Sequence, residues 1–303
     1  MKTKYSNPRI DYPDQSGNAF AGKVKIDLFK TLWVGSMFLF GTIGSLLTIS
    51  MSAVLLFIFF TLITLCLGHS LGMHRRFIHR SYQCPKWLEI FFVHLGTIVG
   101  LAGPFGMLKT HDMRDWAQRQ ANCHDYFSHG SVWYKDMYWQ LLCSIKLENA
   151  PEFILEDKIA NDKVYSLMER TWMLQQLPWA ILFYWCGGWS WVFWGICSRV
   201  TISVFGHWLI GYFAHNDGHQ DWHVKGAAVQ GHNVKWMSLL TMGENWHNNH
   251  HAFPYSAKLG LESAQWDPGW WVLKFLEQLG LVSDIVLPVG QDNRSDLISV
   301  IRI

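Results

Sequence analysis

Histidine types and spacings carry the chemistry of this 303-residue chain, which holds 15 of them. The densest group is Glu244-Asn245-Trp246-His247-Asn248-Asn249-His250-His251. On a helix, His247, His250 and His251 fall at i, i+3 and i+4, so one face can present three imidazoles. His111 and Asp115 have the same i, i+4 relation in His111-Asp112-Met113-Arg114-Asp115. A third stretch, Gly68 to His79, contains His69, His74 and His79, and a fourth contains His207, His215, His219, His223 and His232. Neutral imidazole is a common nitrogen ligand for iron, zinc and copper. Adjacent buried imidazoles are costly without a metal or hydrogen-bonding partners. Ligands drawn from four separate segments therefore predict a metal site. Isolated histidines such as His94, His124, His129 and His232 read as ordinary hydrogen-bonding residues.

The elements that must position these histidines are visible in the charge pattern. Charged residues are 16% of the chain, against about a quarter in ordinary soluble proteins. No Asp, Glu, Lys or Arg occurs from Thr31 to His74, from Thr171 to Ser198, or between Arg199 and Asp217. A bilayer core needs about 20 apolar helical residues per crossing. These gaps predict four spans, near residues 31–49, 51–67, 172–187 and 189–214, arranged as two helical hairpins. Their tips, Thr48-Ile49-Ser50-Met51 and Gly187-Gly188, are too short to carry a domain. The fold class expected is an all-α membrane protein with a cytoplasmic helical cap. Residues 1–30 form an N-terminal segment, 31–281 the membrane domain and 282–303 a tail.

Lys23, Lys25 and Lys30 precede the first expected span, and Arg75, Arg76 and Arg80 follow the second. This bias predicts that both hairpins enter from the cytoplasmic side and that both termini are cytoplasmic. The first 30 residues are too polar for a signal peptide. A further apolar stretch, Trp87–Leu108, contains Glu89, His94 and Pro104 and reads as an interfacial or cap helix, with a short fifth span as the alternative. Six cysteines with no C-x-x-C pair argue against a disulfide scaffold or an iron–sulfur cluster. Cys66, Cys186 and Cys197 fall in expected spans and read as packing residues. The net charge of +2 gives no basic footprint for nucleic acid.

With these stretches in view, the chain resembles the membrane fatty-acid desaturases, most closely their delta-9 branch. His74-Arg75-Arg76-Phe77-Ile78-His79-Arg80-Ser81-Tyr82 is like the family's first histidine box, HRxxxHRSF. Pro85-Lys86-Trp87-Leu88-Glu89, Gly187-Gly188-Trp189-Ser190 and Arg199 also match. The most specific match runs from Leu239 to Pro254 and contains the third box, followed by Trp270-Trp271-Val272-Leu273-Lys274. The resemblance covers roughly residues 31–281. It implies a histidine-held di-iron centre under the cap and O2-dependent removal of two hydrogens from an acyl chain. It also implies a CoA-, lipid- or carrier-linked substrate, with a separate ferredoxin- or cytochrome b5-type electron donor. The implied membrane is a bacterial inner membrane or the endoplasmic reticulum. On this resemblance His74, His79, His247, His250 and His251 carry over as ligands, and His215 is the late ligand on the last span. The family's Asn one turn before that ligand is Gly211 here.

The second box departs from the family's HxxHH. His111 fits its first position, but Arg114 and Asp115 replace two histidines. Asp115 can substitute as a carboxylate ligand. Arg114 cannot, because its guanidinium stays protonated and has no lone pair to give. The expected partition gives one iron His74, His79, His111, Asp115 and His251, and leaves the other His215, His247 and His250. Further ligands are sought among His219, His223, His69, His124 and His129. Arg114 alternatively bridges to Asp115 or Asp112. Two rival functions stay open: a related di-iron hydroxylase, and a non-catalytic homologue that binds lipid or metal.

Overall fold

The computed structural model describes residues 7–11, 18–288 and 294–300. Helix α1, Leu28–Leu47, starts where the Asp27 side chain accepts from the Lys30 amide at 3.1 Å. Helix α2, Met51–Ile63, starts where Ser50 accepts from the Ala53 amide at 3.3 Å. Both are N-caps of the usual kind. The tip between them falls at Thr48–Ser50, where the spacing of charges predicts it. Beyond α2 the chain does not stop at residue 67. It continues without a break as a π-helical segment, Thr64–Ile78, so the apolar run is Met51–Ile78.

Cap elements follow: α3 (Lys86–Ile98), α4 (Pro104–Gln118), α5 (Asp125–Ser128), α6 (Trp133–Leu142), α7 (Asp157–Ala160) and α8 (Lys163–Arg170). The expected helix over 87–108 is thus two helices, because Pro104 starts a new one at its first position. Next come α9 (Gln176–Val192) and α10 (Arg199–Asn216), joined by a π-helical turn at Phe193–Ser198. The C-terminal part holds α11 (Ser238–Thr241), α12 (His247–Ala252) and α13 (Pro268–Gln278).

Among the described residues, three helical runs are long and apolar enough to cross a membrane: Leu28–Leu47, Met51–Ile78 and Gln176–Asn216. The last covers the expected span 189–214 and all of 172–187 except its first four residues, which form a turn before Gln176. Its backbone leaves helical geometry at Gly187 and Gly188, and Gly188 has φ 64° and ψ −157°. That conformation is open only to glycine. Only 28%, 28% and 22% of the most apolar windows of these runs are buried inside the molecule. Leu46, Leu47, Ile49, Met51 and Trp185 on and between them are exposed. Apolar surface on that scale matches lipid, not water, as its surroundings.

The fold is mostly helical but not wholly so. Three two-stranded antiparallel sheets lie among the described residues: β1 (Ile10–Asp11) with β4 (Glu152–Phe153), β2 (Gly22–Ile26) with β3 (Cys143–Leu147), and β5 (Trp222–Val224) with β6 (Leu297–Ser299). They tie residues 10–11 and 22–26 to segment 143–153, and residues 297–299 to 222–224. Arg9 adds to this by binding Asp112, Glu156 and the Ile78 carbonyl at 3.0–3.1 Å.

Helix α3 lies directly on the Thr64–Ile78 segment. A Cβ at Gly68 would stand 2.4 Å from the Leu95 carbonyl carbon and 2.5 Å from the Gly96 nitrogen. Both are backbone atoms, so no rotamer change relieves the clash. Gly68→Val is expected to destabilise the protein by about 1–3 kcal/mol or more. Gly35→Ala, where a Cβ meets nothing within 4 Å, is the matched control. Thermal unfolding in detergent micelles checks both, and equal unfolding temperatures would refute the close approach.

Candidate metal centre

The π-helical winding is the first thing that builds the site. His74 and His79 are five residues apart, which on an α-helix separates them by about 140° around the axis. Here the His79 amide donates to the His74 carbonyl at 3.0 Å, an i to i+5 bond. Residues so related lie one above the other, and π-helical turns recur at functional sites. The two rings accordingly stand 4.7 Å apart.

Helix α4 brings His111 to them, with its Nε2 at 3.3 Å from His79 Nε2. Helix α12 adds His250, whose ring is 4.6 Å from His74 and 4.8 Å from His79. The ligating atoms of His74, His79, His111 and His250 lie within 4.8 Å of one another. A second group within the same limit contains His215, His247 and His251. There His247 Nε2 is 3.2 Å from His215 Nε2 and 3.0 Å from His251 Nε2.

The partition differs from the expected one: His250 joins the first group and His251 the second. The reason is helix rotation. On α12, His247 and His251 are offset by about 40°, whereas His250 lies about 60° to the other side of His247. The helix itself is held by two asparagines. Asn248 Oδ1 accepts from the Asp221 and Trp222 amides at 2.8 Å, and its Nδ2 donates to the Trp222 and Gly231 carbonyls. Asn249 Nδ2 donates to the Leu259 carbonyl and to Gln265 Oε1 at 2.8 Å.

Outer contacts set the ring tautomers. His215 Nδ1 donates to the Gly211 carbonyl at 2.7 Å. His74 Nδ1 meets Glu244 Oε2 at 2.6 Å, and His111 Nδ1 meets Asp112 Oδ1 at 3.2 Å. Each contact turns the Nε2 lone pair into its group, the arrangement that outer carboxylates and carbonyls give to metal-bound histidines. Burial and neighbouring imidazoles push His79, His247, His250 and His251 well below the usual histidine range. Burial opposes ionisation of Glu244, but His74 and Arg75 outweigh it and hold the carboxyl below its usual range. The Nε2 atoms of neighbouring rings stand only 3.0–3.3 Å apart, and wherever two of them both carry a lone pair they repel. A shared cation removes that repulsion, so the donor set fits a transition metal in each group.

Sequence reasoning missed the supports. Arg75 is buried and pairs with Asp267 Oδ1 at 2.8 Å and Oδ2 at 3.3 Å, and it also donates to the Ala257 and Met242 carbonyls. It joins the first histidine stretch to the loop before α13. Glu244 also takes Ser70 Oγ at 2.5 Å. Nothing local marks these pairs, which are 167 to 192 residues apart for Arg75.

Other expected residues lie outside both groups. Asp115 Oδ1 accepts from Arg119 Nε at 3.0 Å. Arg114 bridges to neither Asp115 nor Asp112. Its guanidinium contacts His129 Nε2 and Gln140 Oε1, while Asp112 pairs with Arg9. His219 and His223 are exposed in the segment after α10, and His219 pairs with Asp221 at 2.9 Å. His69 packs against His207 with ring centres 4.3 Å apart. His124 accepts from the Tyr126 amide and caps α5, and His94 accepts from Trp179.

The fatty acid desaturase family profile matches residues 49–266, which include every member of both histidine groups. The chain belongs to the fatty acid desaturase family. It is similar to the sn-1 stearoyl-lipid 9-desaturase of Anabaena variabilis, with 34% identity over 84% of this chain and 94% of that one. It is also similar to acyl-CoA 5-desaturase AL21 of Anemone leveillei, with 31% identity over 86% of this chain and 80% of that one. Delta-9 acyl-lipid desaturase 1 of Arabidopsis thaliana is 31% identical over 75% of this chain and 73% of its own length. The desaturase is therefore an oxidoreductase of fatty acyl chains.

Keeping its histidines neutral gives this desaturase a definite pH response. Burial and Arg114 push His129 down to about 4 despite Asp136, and His79, His247, His250 and His251 are lowered too. Below about 6.5, the unfolded histidine value, the unfolded chain binds more protons than the folded one. The stability these residues keep is complete above that value and is lost as pH falls toward 4. The unfolding temperature of chelator-treated protein is expected to be level from about pH 8 to 7 and to drop below about 6.5. A rise on acidification would refute neutral burial.

Proposed function

We propose that this desaturase uses a di-iron centre held by His74, His79, His111 and His250 on one side and His215, His247 and His251 on the other. The observation that carries the reading is α12, which supplies one ring to the first group and two to the second and so sets the groups side by side. When bound, the irons supply the O2 chemistry needed to take two hydrogens from an unactivated acyl chain. The residues present have narrower tasks. Glu244, Asp112 and the Gly211 carbonyl hold the Nδ1 sides of three rings and turn their Nε2 atoms toward the groups, where His215 Nε2 also meets Gln118 Nε2 at 2.9 Å. The apolar helices keep the site beside the lipid phase and exclude water from it. Reducing one O2 to two waters would take the two substrate hydrogens together with two electrons from the donor and two protons from the aqueous side.

The substrate proposed is a fatty acyl chain on a lipid or CoA head group, as the relatives' names suggest. Electrons come from a separate ferredoxin- or cytochrome b5-type donor. In the membrane, Gln176–Asn216 acts as two arms about Gly187–Gly188, which with the other runs makes four crossings with both termini cytoplasmic. Asp115, His219, His223 and His69 are not assigned as ligands in this reading.

Expression in a host of known fatty-acid composition tests it by lipid analysis. New double bonds are expected with the native chain and none with His250→Ala or His247→Ala. New hydroxyl groups in place of double bonds would identify a hydroxylase. New double bonds that persist in both variants would overturn the assigned centre.

A further inference from the structure

The two histidine groups are unequal. The first has four imidazoles and the second has three. Beside the second group lies a buried histidine outside the carried-over ligand set. The His129 ring stacks on His215 with centres 5.2 Å apart and an interplanar angle of 18°. Three features prepare it as a ligand.

His129 Nδ1 lies 2.8 Å from Asp136 Oδ2. Asp136 is fully buried and also accepts from Trp208 Nε1 at 2.9 Å and Gln140 Nε2 at 3.3 Å. A buried carboxylate on Nδ1 fixes the proton there, leaves a lone pair on Nε2 and raises its basicity. The backbone of His129 is also clamped beside His215. It has φ 55° and ψ 29°, a left-handed conformation that is uncommon outside glycine. Its carbonyl accepts from Asn216 Nδ2 at 2.9 Å, one residue after His215. Finally, Gly211 makes room for the ring. A Cβ there would stand 3.3 Å from His129 Nε2 and 3.4 Å from its Cε1, so a longer side chain at 211 would press on the imidazole.

The atom facing His129 Nε2 is Nη1 of Arg114, the residue that stands in the divergent second box. Arg114 is anchored on its other side by Gln140 Oε1 at 2.7 Å. An arginine cannot ligate, but it can donate to the lone pair that a metal would need. We propose that His129 is the fourth nitrogen ligand of the second histidine group, with Arg114 as the competing donor to the same nitrogen. This rests on the di-iron reading above and deepens it. Coordination would exchange the Arg114 hydrogen bond for a metal bond, with no change in oxidation state and no proton released from His129.

Co2+ binding to the full chain tests the idea. Chelator-treated protein in detergent micelles is titrated anaerobically, with visible absorption and metal content per chain as readouts. The native chain is expected to bind two ions, the one in the second group more weakly. His129→Gln should lose that ion and keep the first, whose retention also reports correct folding. Asp136→Asn should weaken it by about 10–100-fold, the usual effect of removing an outer partner. Arg114→Met should tighten it, and Arg114→Met/His129→Gln should behave like His129→Gln alone. Two ions bound with native affinity by His129→Gln would overturn the proposal and leave the di-iron reading standing. So would weaker binding by Arg114→Met, or a single ion in the native chain that Arg114→Met does not supplement. No ion bound by any form would instead overturn the di-iron reading itself.

Discussion

Imidazoles turned inward in a medium that cannot solvate them are the constraint on which the rest depends. Each neutral ring has one donor and one acceptor nitrogen. If the acceptors point at one another, the donors must find partners elsewhere, and in a buried site those partners must be built. Glu244, Asp112 and the Gly211 carbonyl are such partners, and Asp136 serves His129 in the same way. The carboxylates in turn need cations and donors, which Arg75, Arg9, Ser70 and Trp208 provide. A shell of long-range polar contacts thus grows outward from the rings. Buried networks of this type hold only when nearly every member is satisfied.

That shell explains why the cap is irregular. Regular helices alone cannot bring five-residue and three-residue spacings to one point. The π-helical winding of Thr64–Ile78 aligns His74 with His79. The short helix α12 divides its rings between two groups by rotation about its axis. Asn248 and Asn249 then take up the polar backbone of the loops around it. The apolar helices stand apart from this work. Their small burial inside the molecule and their exposed Leu, Ile, Met and Trp residues suit lipid. Two of the long runs carry histidines of the groups near their C-terminal ends, His74 on Met51–Ile78 and His215 on Gln176–Asn216. The same division runs through composition: charge is concentrated in the cap and depleted in the long helices.

Much of this was legible in the amino-acid order, because some physical signals are local. Absence of charge over a bilayer's length marks a span wherever it occurs. Histidines at i and i+4 share a helix face whatever the helix packs on. These rules identified the apolar runs and the histidines that share a helix face, and the motifs around them carried the resemblance to desaturases. They did not foresee that the second run continues helically to Ile78, since polar and histidine-rich residues usually end a span. They also divided the rings wrongly, pairing His247 with His250, because the choice between i+3 and i+4 depends on where the second site lies. A bridge from Arg114 to a nearby carboxylate was one alternative, yet Arg9 holds Asp112 and Arg119 holds Asp115 Oδ1.

By itself, then, the sequence determined the class of protein, the histidine-rich stretches and their distribution among segments. Tertiary structure alone decided which rings meet, which carboxylate supports which ring, and which histidines stay outside. Arg75 reaches Asp267, Glu244 reaches His74, and His129 reaches both Asp136 and the end of α10. The reason is the range of the forces involved. Periodicity and solvation act on the chain wherever a segment lies. A hydrogen bond needs its partner within about 3 Å, and only the folded chain brings residues so far apart in sequence to that distance.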